Sequence, residues 1–160
     1  MWESSDVEKN ETELAGIPKE LSGWNIHVLN NLVKTRKIET DDFDYKSEYK
    51  ELSKHLCAFA NNSFGQMILG MRPIKNKIGR TTGIQKKGFL QDVKDDIRNE
   101  VSNAISLVEP TPIIGLDFIK ERRKVFPVVQ ITGEEIKKPY MHKLTGICYV
   151  RIGALNRSCK

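Results

Sequence analysis

Three residues in the first third of the chain have the types and spacing for metal-assisted phosphate chemistry. Glu39 and Asp44 are carboxylates five positions apart, and Lys46 follows Asp44 by two. Hard carboxylate oxygens hold divalent cations such as Mg2+ or Mn2+, and an ion held this way activates water and neutralises a phosphate under attack. Alternation along an extended segment puts Lys46 on the side of Asp44, where its ammonium could clamp that phosphate. The plainer reading is surface acidity, because Asp41, Asp42 and Glu48 crowd the same stretch. No second catalytic constellation is visible: His27, His55 and His142 sit in unrelated contexts, so neither a Ser-His-Asp nor a Cys-His arrangement can be built from them.

The elements that must position these groups follow from periodicity. Phe43 and Tyr45 alternate with Asp42, Asp44 and Lys46, which predicts a half-buried strand with its polar side outward and the carboxylates sharing that side. Ser47 is a reasonable N-cap for a helix whose Tyr49, Leu52, Leu56 and Phe59 recur at intervals of three and four. Asn61 to Gly65 supplies a turn, with Gly65 free to adopt positive φ, and Gln66 to Met71 reads as the next strand. Upstream, a helix is expected from Ser22 or Trp24 to Lys37, preceded by a polar, acidic lead-in over residues 1–21. Residues 22–160 then form one domain.

Downstream, Arg72 to Gly88 reads as a long basic loop with a short strand around Ile78. Val93, Ile97, Val101, Ile105 and Val108 make one ridge of a helix over Leu90 to Val108, ended by Pro110 and Pro112. Two antiparallel strands, Ile113 to Ile119 and Val125 to Ile131, are joined by Lys120 to Lys124, and Pro127 predicts an edge or a bulge in the second. A last strand covers Ile147 to Ile152 and is closed by Gly153. Helices and strands interleave without strict β-α-β repetition, so the fold class is mixed α/β, or α+β: a mixed sheet flanked by two main helices.

The formal net charge of +5 is unevenly spread: residues 1–60 carry 8 Lys/Arg against 12 Asp/Glu, and residues 61–160 carry 18 against 9. Between Glu51 and Asp92 there is no acid, whereas Arg72, Lys75, Lys77, Arg80, Lys86 and Lys87 all lie there. An acid-free basic segment is the electrostatic footprint expected of a polyanion site; the alternative is a solvated loop. Arg122, Arg123, Lys124 and Lys143 offer a second patch that could lie on a sugar-phosphate backbone, and Tyr140 and Tyr149 could stack on bases. Cys57, Cys148 and Cys159 are odd in number and form no C-x-x-C pair, which argues against a disulfide framework or structural zinc and for a reducing compartment. Cys57 reads as a small buried thiol. No apolar run is long enough to span a membrane, and the first residues lack the pattern of a signal peptide, so an intracellular protein, cytoplasmic or nuclear, is expected.

Taken in order, Asp42-Phe43-Asp44-Tyr45-Lys46, Ala58-Phe59-Ala60-Asn61, the Gly65 to Gly70 strand, Lys138-Pro139-Tyr140 and Tyr149-Val150-Arg151-Ile152-Gly153 resemble the successive signatures of the Schlafen-type AlbA domain. The resemblance covers about Glu39 to Asn156. It implies a single Schlafen AlbA-like lobe that binds nucleic acid, RNA or DNA. In the ribonuclease-type members it also implies a metal site of three carboxylates that cleaves structured RNA. The family spacing E-x-x-x-x-E falls on Glu39 and Asp44, the second shortened to Asp. Where a third acid is expected, this chain has Met71, Arg72 and Pro73, none of which ligates a cation. Phe64 stands where the family has the first of two glycines.

The resemblance therefore implies a catalytically incomplete module. It would bind nucleic acid, RNA foremost, through Arg72, Lys75, Lys77, Arg80, Lys86 and Lys87, and work as a homodimer or with a related Schlafen-like subunit. Two alternatives remain open. One is a Mg2+- or Mn2+-dependent endoribonuclease using Glu39 and Asp44, with Lys46 as phosphate clamp and a third acid from a partner or from Asp92 or Asp117. The other is a structural subunit of a Schlafen-like nuclease complex.

Overall fold

The computed structural model describes residues 17–37, 39–74, 77–81, 83–84, 90–122 and 124–159. Helix α1, Ile26–Thr35, begins where the Asn25 side chain accepts from the Val28 amide at 3.0 Å, the expected N-cap bond. It ends at Arg36, which takes the left-handed conformation. Strand β1, Phe43–Lys46, leads to helix α2, Ser53–Asn61, and on to strand β2, Phe64–Leu69. β1 and β2 are parallel neighbours, so a crossover must join them, and α2 is that crossover. The helix starts later than its first polar residue suggests. Residues 47–51 bend before Leu52 buries, and Leu52, not Ser47, precedes the first turn.

The central sheet has the order β1-β2-β7-β6, where β6 is Ile113–Glu121 and β7 is Lys124–Thr132. Both faces are covered. Phe43, Tyr45, Ile68, Phe126 and Val128 pack with Trp24, Leu29 and Leu32 on the α1 side. Met67, Leu69, Val125, Val129 and Ile131 pack on the other side against α2 and helix α3, Leu90–Ser106. Residues Leu56 to Ala60 are all fully buried, because a second four-stranded sheet lies across α2. That sheet has the order β10-β9-β8-β5, with β5 Val108–Glu109, β8 Met141–His142, β9 Ile147–Ile152 and β10 Leu155–Ser158. A separate hairpin pairs β3, Met71–Ile74, with β4, Lys77–Thr81: the short strand expected around Ile78 is β4, and β3 takes up part of the expected loop.

The mixed α+β class and most element positions agree with the periodicity, and the exceptions have physical reasons. Pro127 sits on an inner strand, but one residue past the last β2–β7 pair, Ile68 with Val128, so no ladder bond is lost to its missing N–H. Cys148 and Cys159 are disulfide-bonded, against expectation; the β9–β10 hairpin brings their Cα atoms to 5.3 Å. Leu155 to Ser158 is too polar for its strand to be visible in the sequence, so neither was the pairing. The inference of a reducing compartment loses its support. Cys57 is a free, buried thiol as expected.

Gly65 is required for a different reason than turn chemistry. The positive φ angles of this region belong to Ser63 and Gly70, while Gly65 lies within β2. A Cβ on Gly65 would sit 2.1 Å from the ring of Phe59, which is itself fully buried. Gly65→Ala should therefore destabilise the fold by roughly 1–3 kcal/mol through overpacking. Urea denaturation measures this, and an unchanged midpoint would show that the α2–β2 contact is loose.

Candidate functional site

Sheet alternation sends Phe43 and Tyr45 toward α1 and Asp44 and Lys46 toward α2. Because α2 and the second sheet cover that side, Asp44 is only 4% exposed instead of facing solvent. Glu39, just before β1, is 8% exposed, and the two acids converge on Arg151 of β9, 3% exposed. Arg151 Nη1 donates to Asp44 Oδ2 at 3.1 Å, and its Nη2 lies 3.7 Å from Glu39 Oε2. Its Nε donates to the carbonyl oxygens of Gly153 at 3.0 Å and Thr40 at 3.4 Å. The guanidinium also lies 5.2 Å from the Phe59 ring centroid. Asp44 Oδ1 accepts from the Tyr45 amide at 2.8 Å, so both carboxylate oxygens are engaged.

His55, one turn into α2, joins the same cluster. Its Nδ1 is 3.3 Å from Asp44 Oδ2, and Lys46 Nζ is 3.0 Å from its Nε2. An ammonium can only donate, which makes Nε2 the acceptor toward Lys46. Asn156 of β10 lies against both groups, 3.4 Å from Arg151 Nη1 and 3.0 Å from His55 Nδ1. The structure thus gathers all three sequence candidates, Glu39, Asp44 and Lys46, and adds Arg151, His55 and Asn156. The Tyr149 to Gly153 motif contained Arg151, but nothing local showed that it turns inward.

Burial is the main cause of the unusual protonation here. It pushes the Glu39 carboxyl up to about 8, helped by a hydrogen bond to Asp44 and repulsion from it, and opposed by Arg151. Burial, then the Lys46 charge, pushes His55 down to about 4. Burial and the two acids raise the Tyr45 phenol, whose hydroxyl is buried and finds no hydrogen-bond partner among the described residues. A carboxyl raised from about 4.5 to about 8 gives stability fully present below pH 4.5 and lost as pH rises through 8. An imidazole lowered from 6.5 to about 4 gives stability present above pH 6.5 and lost as pH falls through 4. The two slopes oppose each other between pH 4.5 and 6.5, so Glu39 acts alone from 6.5 to 8, at up to about 1.4 kcal/mol per pH unit. Glu39→Gln, which keeps a donor toward Asp44, should flatten that limb. Urea midpoints at pH 6.5 and 8 that still fall in the variant would assign the slope elsewhere.

The cluster does not offer an open divalent-cation site. A cation between Glu39 and Asp44 would have to displace the Arg151 guanidinium that already pairs with Asp44, and to strip the proton from a Glu39 carboxyl pushed up to about 8. The third-ligand position is Met71, fully buried among apolar side chains, followed by Arg72, which is exposed. Asp117 lies on β6, three strand spacings or roughly 14 Å from β1, and accepts from the Phe118 amide. The side chain of Asp92 lies outside the described residues. Among the described residues, no group of three or more His, Cys, Asp or Glu side chains is placed to hold a metal ion. An open depression of about 610 Å³ beside the cluster is lined by Glu39, Thr40, Asp41, Asp42, Asn62 and Gly153.

The basic residues gather mainly at the other end of the sheet. Arg72 on β3 pairs in register with Arg80 on β4, and Lys77 begins β4. Ile84, just past β4, bridges Val125 of β7, which ties this hairpin to the tip of the β6–β7 hairpin. That tip carries exposed Arg122, in a left-handed conformation, and Lys124, whose stem packs against Gly83. Lys75, Lys86, Lys87 and Arg123 lie outside the described residues. Lys143 is elsewhere, its amide donating to Leu107 O beyond the C-terminus of α3. Tyr140, offered as a stacking residue, is 1% exposed, and its hydroxyl accepts from the Glu134 amide at 2.9 Å, so it belongs to the core. Tyr149 is half-buried beside His142, with Lys54 over its ring.

A mixed central sheet with a buried crossover helix, a second sheet across that helix and an acidic pair at the first strand define the class of module. The chain belongs to the Schlafen, AlbA_2 family, whose profile matches residues 36–160. Among solved structures, the N-terminal domain of a RecG-related protein from Nitrosomonas europaea is similar at TM-score 0.55 and 18% identity, over 82% of this chain and 88% of that one. This likeness shows the fold. The DIP2311 protein from Corynebacterium diphtheriae is similar at TM-score 0.49 and 11% identity, over 83% of this chain; the match spans only 26% of that longer protein. No curated protein matches the chain. Among the described residues, no helix is long and apolar enough to cross a membrane.

Proposed function

We propose that this chain is a nucleic-acid-binding Schlafen-type lobe that takes RNA on its basic end, works within a dimer or heteromeric complex, and does not cleave by itself. The observation that carries the reading is the Ile84–Val125 bridge, which joins two separately basic hairpins into one surface. Family membership and the fold shared with a domain of a RecG-related protein support a role on nucleic acid. The guanidinium between Glu39 and Asp44 supports the non-cleaving part, since it holds the position a cation would need. Ile152 and Leu155, cross-strand partners more than half exposed at the β9–β10 turn, give a partner subunit an apolar foothold.

If about four phosphates are contacted, affinity for a duplex should fall about a hundredfold between 50 and 200 mM salt. Fluorescence anisotropy with labelled hairpin RNA, single-stranded RNA and DNA measures this and ranks the ligands. Binding to none of them, or binding indifferent to salt, would sink the proposal. Light scattering reports the dimer.

The convergence of Glu39 and Asp44 favours one second reading, a metal-dependent endoribonuclease completed by another subunit. Mg2+- or Mn2+-dependent cleavage of hairpin RNA, abolished by Glu39→Ala and by Asp44→Ala, would replace the first reading with this one.

A further inference from the structure

The α3–β6 seam carries a second basic constellation that the acid-free segment does not include. Lys94 and Arg98 are four residues apart and share one face of α3, while Phe118 and Lys120 are two apart and share the face of β6 that meets it. The four side chains converge. Lys94 Nζ lies 5.4 Å and the Arg98 guanidinium carbon 5.1 Å from the Phe118 ring centroid. Lys94 is 9% exposed, and the neighbouring Lys120 side chain, ahead of burial, pushes its ammonium down. Arg98 also holds Asp95 at 2.9 Å in an exposed i,i+3 pair, and Asp117, rooted on the opposite face of β6, is still close enough for its charge to act on Lys94.

Two ammonium groups that can only donate, held side by side with one of them nearly buried, repel each other; a shared acceptor of opposite charge removes the repulsion. The tetrahedral phosphate diester is such an acceptor, and a guanidinium steadied on an aromatic face adds a fork of donors. The Phe118 ring anchors the cations, so that less rotamer freedom is lost when an anion arrives. Lys120 is followed two residues later by Arg122, at the tip already joined to the β3–β4 hairpin.

We propose that Lys94, Arg98 and Lys120, seated around Phe118, form a phosphate-binding site that extends the nucleic-acid path from the basic hairpins onto the α3–β6 seam. The site rests on the reading of this chain as a nucleic-acid binder, and it makes the path longer than the hairpins alone provide. Lys94→Gln and Lys120→Gln should each shallow the logarithmic salt slope by about one and lower affinity about tenfold near 0.1 M salt. Arg157→Gln, at an exposed position on β10 of the second sheet, should change neither.

The test is hairpin-RNA anisotropy on these variants, with amide chemical shifts recorded as inorganic tripolyphosphate is added to the wild-type chain. Shifts centred on residues 94–98 and 118–120, together with the two shallower slopes, establish the site. Wild-type binding that Lys94→Gln and Lys120→Gln leave unchanged in affinity and slope overturns this site and leaves the hairpin surface standing. No wild-type binding overturns both. A variant that binds less while its urea midpoint drops is replaced by Lys→Met at the same position, which keeps the buried stem and removes only the charge.

Discussion

Replacing Arg151 with Met should lower the stability of the fold by about 3–5 kcal/mol, the cost of breaking a buried ion pair by removing one partner. The side chain is nearly inaccessible and serves Asp44, Glu39, Thr40, Gly153 and Asn156 at once. Without it, Asp44 is left buried with His55, the Tyr45 amide and the Glu39 carboxyl but no full positive charge to pair with, and two carbonyl oxygens lose a donor. The penalty should grow above about pH 8, because Arg151 holds the Glu39 carboxyl down; without it that group is raised further, and the variant goes on losing stability where the wild type levels off. For a chain of this size the loss corresponds to a fall in Tm on the order of 10 °C. Arg151→Lys should recover only part of it, since a single ammonium cannot reach Asp44 and both carbonyls together. Guanidinium denaturation measures the three proteins. A loss for Arg151→Met under about 1 kcal/mol would mean that solvent screens the cluster, and the argument for a closed site would go with it.

The second large effect is expected at Asn61. Its amide nitrogen donates to Tyr140 O at 2.8 Å and Tyr149 O at 2.7 Å, and its Oδ1 accepts from the Tyr140 amide at 2.7 Å. Asn62 repeats the arrangement with the carbonyl and amide of Arg151, at 2.7 Å and 3.1 Å. These two side chains stitch the end of α2 to the backbone of the second sheet. Each buried backbone group left without its partner costs about 1–3 kcal/mol, so Asn61→Ala should cost roughly 3–5 kcal/mol. Asn61→Asp should be comparably harmful, because it replaces two donated bonds with a buried charge facing two carbonyls. Hydrogen exchange separates the local from the global effect: the Tyr140 amide should lose protection first. If that amide stays as protected as the centre of β7, the stitch is not what holds the second sheet.

The strongly periodic elements were readable along the chain. The ridge from Val93 to Val108 gave α3 within two residues, and the alternating Ile113–Ile119 and Val125–Ile131 runs gave β6 and β7. Periodicity reports one buried face against one wet face, and those elements have both. It found α2 but placed its start too early, because residues 47–51 bend before Leu52 buries, and it missed β10 because a short, mostly polar edge strand resembles a loop. It misplaced Asp44 for a related reason: alternation shows that Asp44 and Tyr45 point opposite ways, but not that a second layer will close over the polar side. Asn61, Asn62 and Gly65 were read as turn-formers from residue type, whereas the two asparagines bond mostly to chain far ahead of them and Gly65 is fixed by the Phe59 ring of the preceding helix.

The sequence alone determined the mixed α+β class, the family, the Glu39, Asp44 and Lys46 grouping, and the absence of an acid at Met71 and Arg72. Each is a property of residue identity or of spacing within a few turns of chain. Only the tertiary structure decided what the carboxylates are paired with. Arg151 is 107 residues from Asp44 and reaches it because β9 packs across α2, a contact set by the burial of both sheets and invisible to any local pattern. The low-dielectric closure that makes this contact also raises Glu39 and lowers His55, and it turns an acidic pair that reads as a cation site into one that already holds its cation.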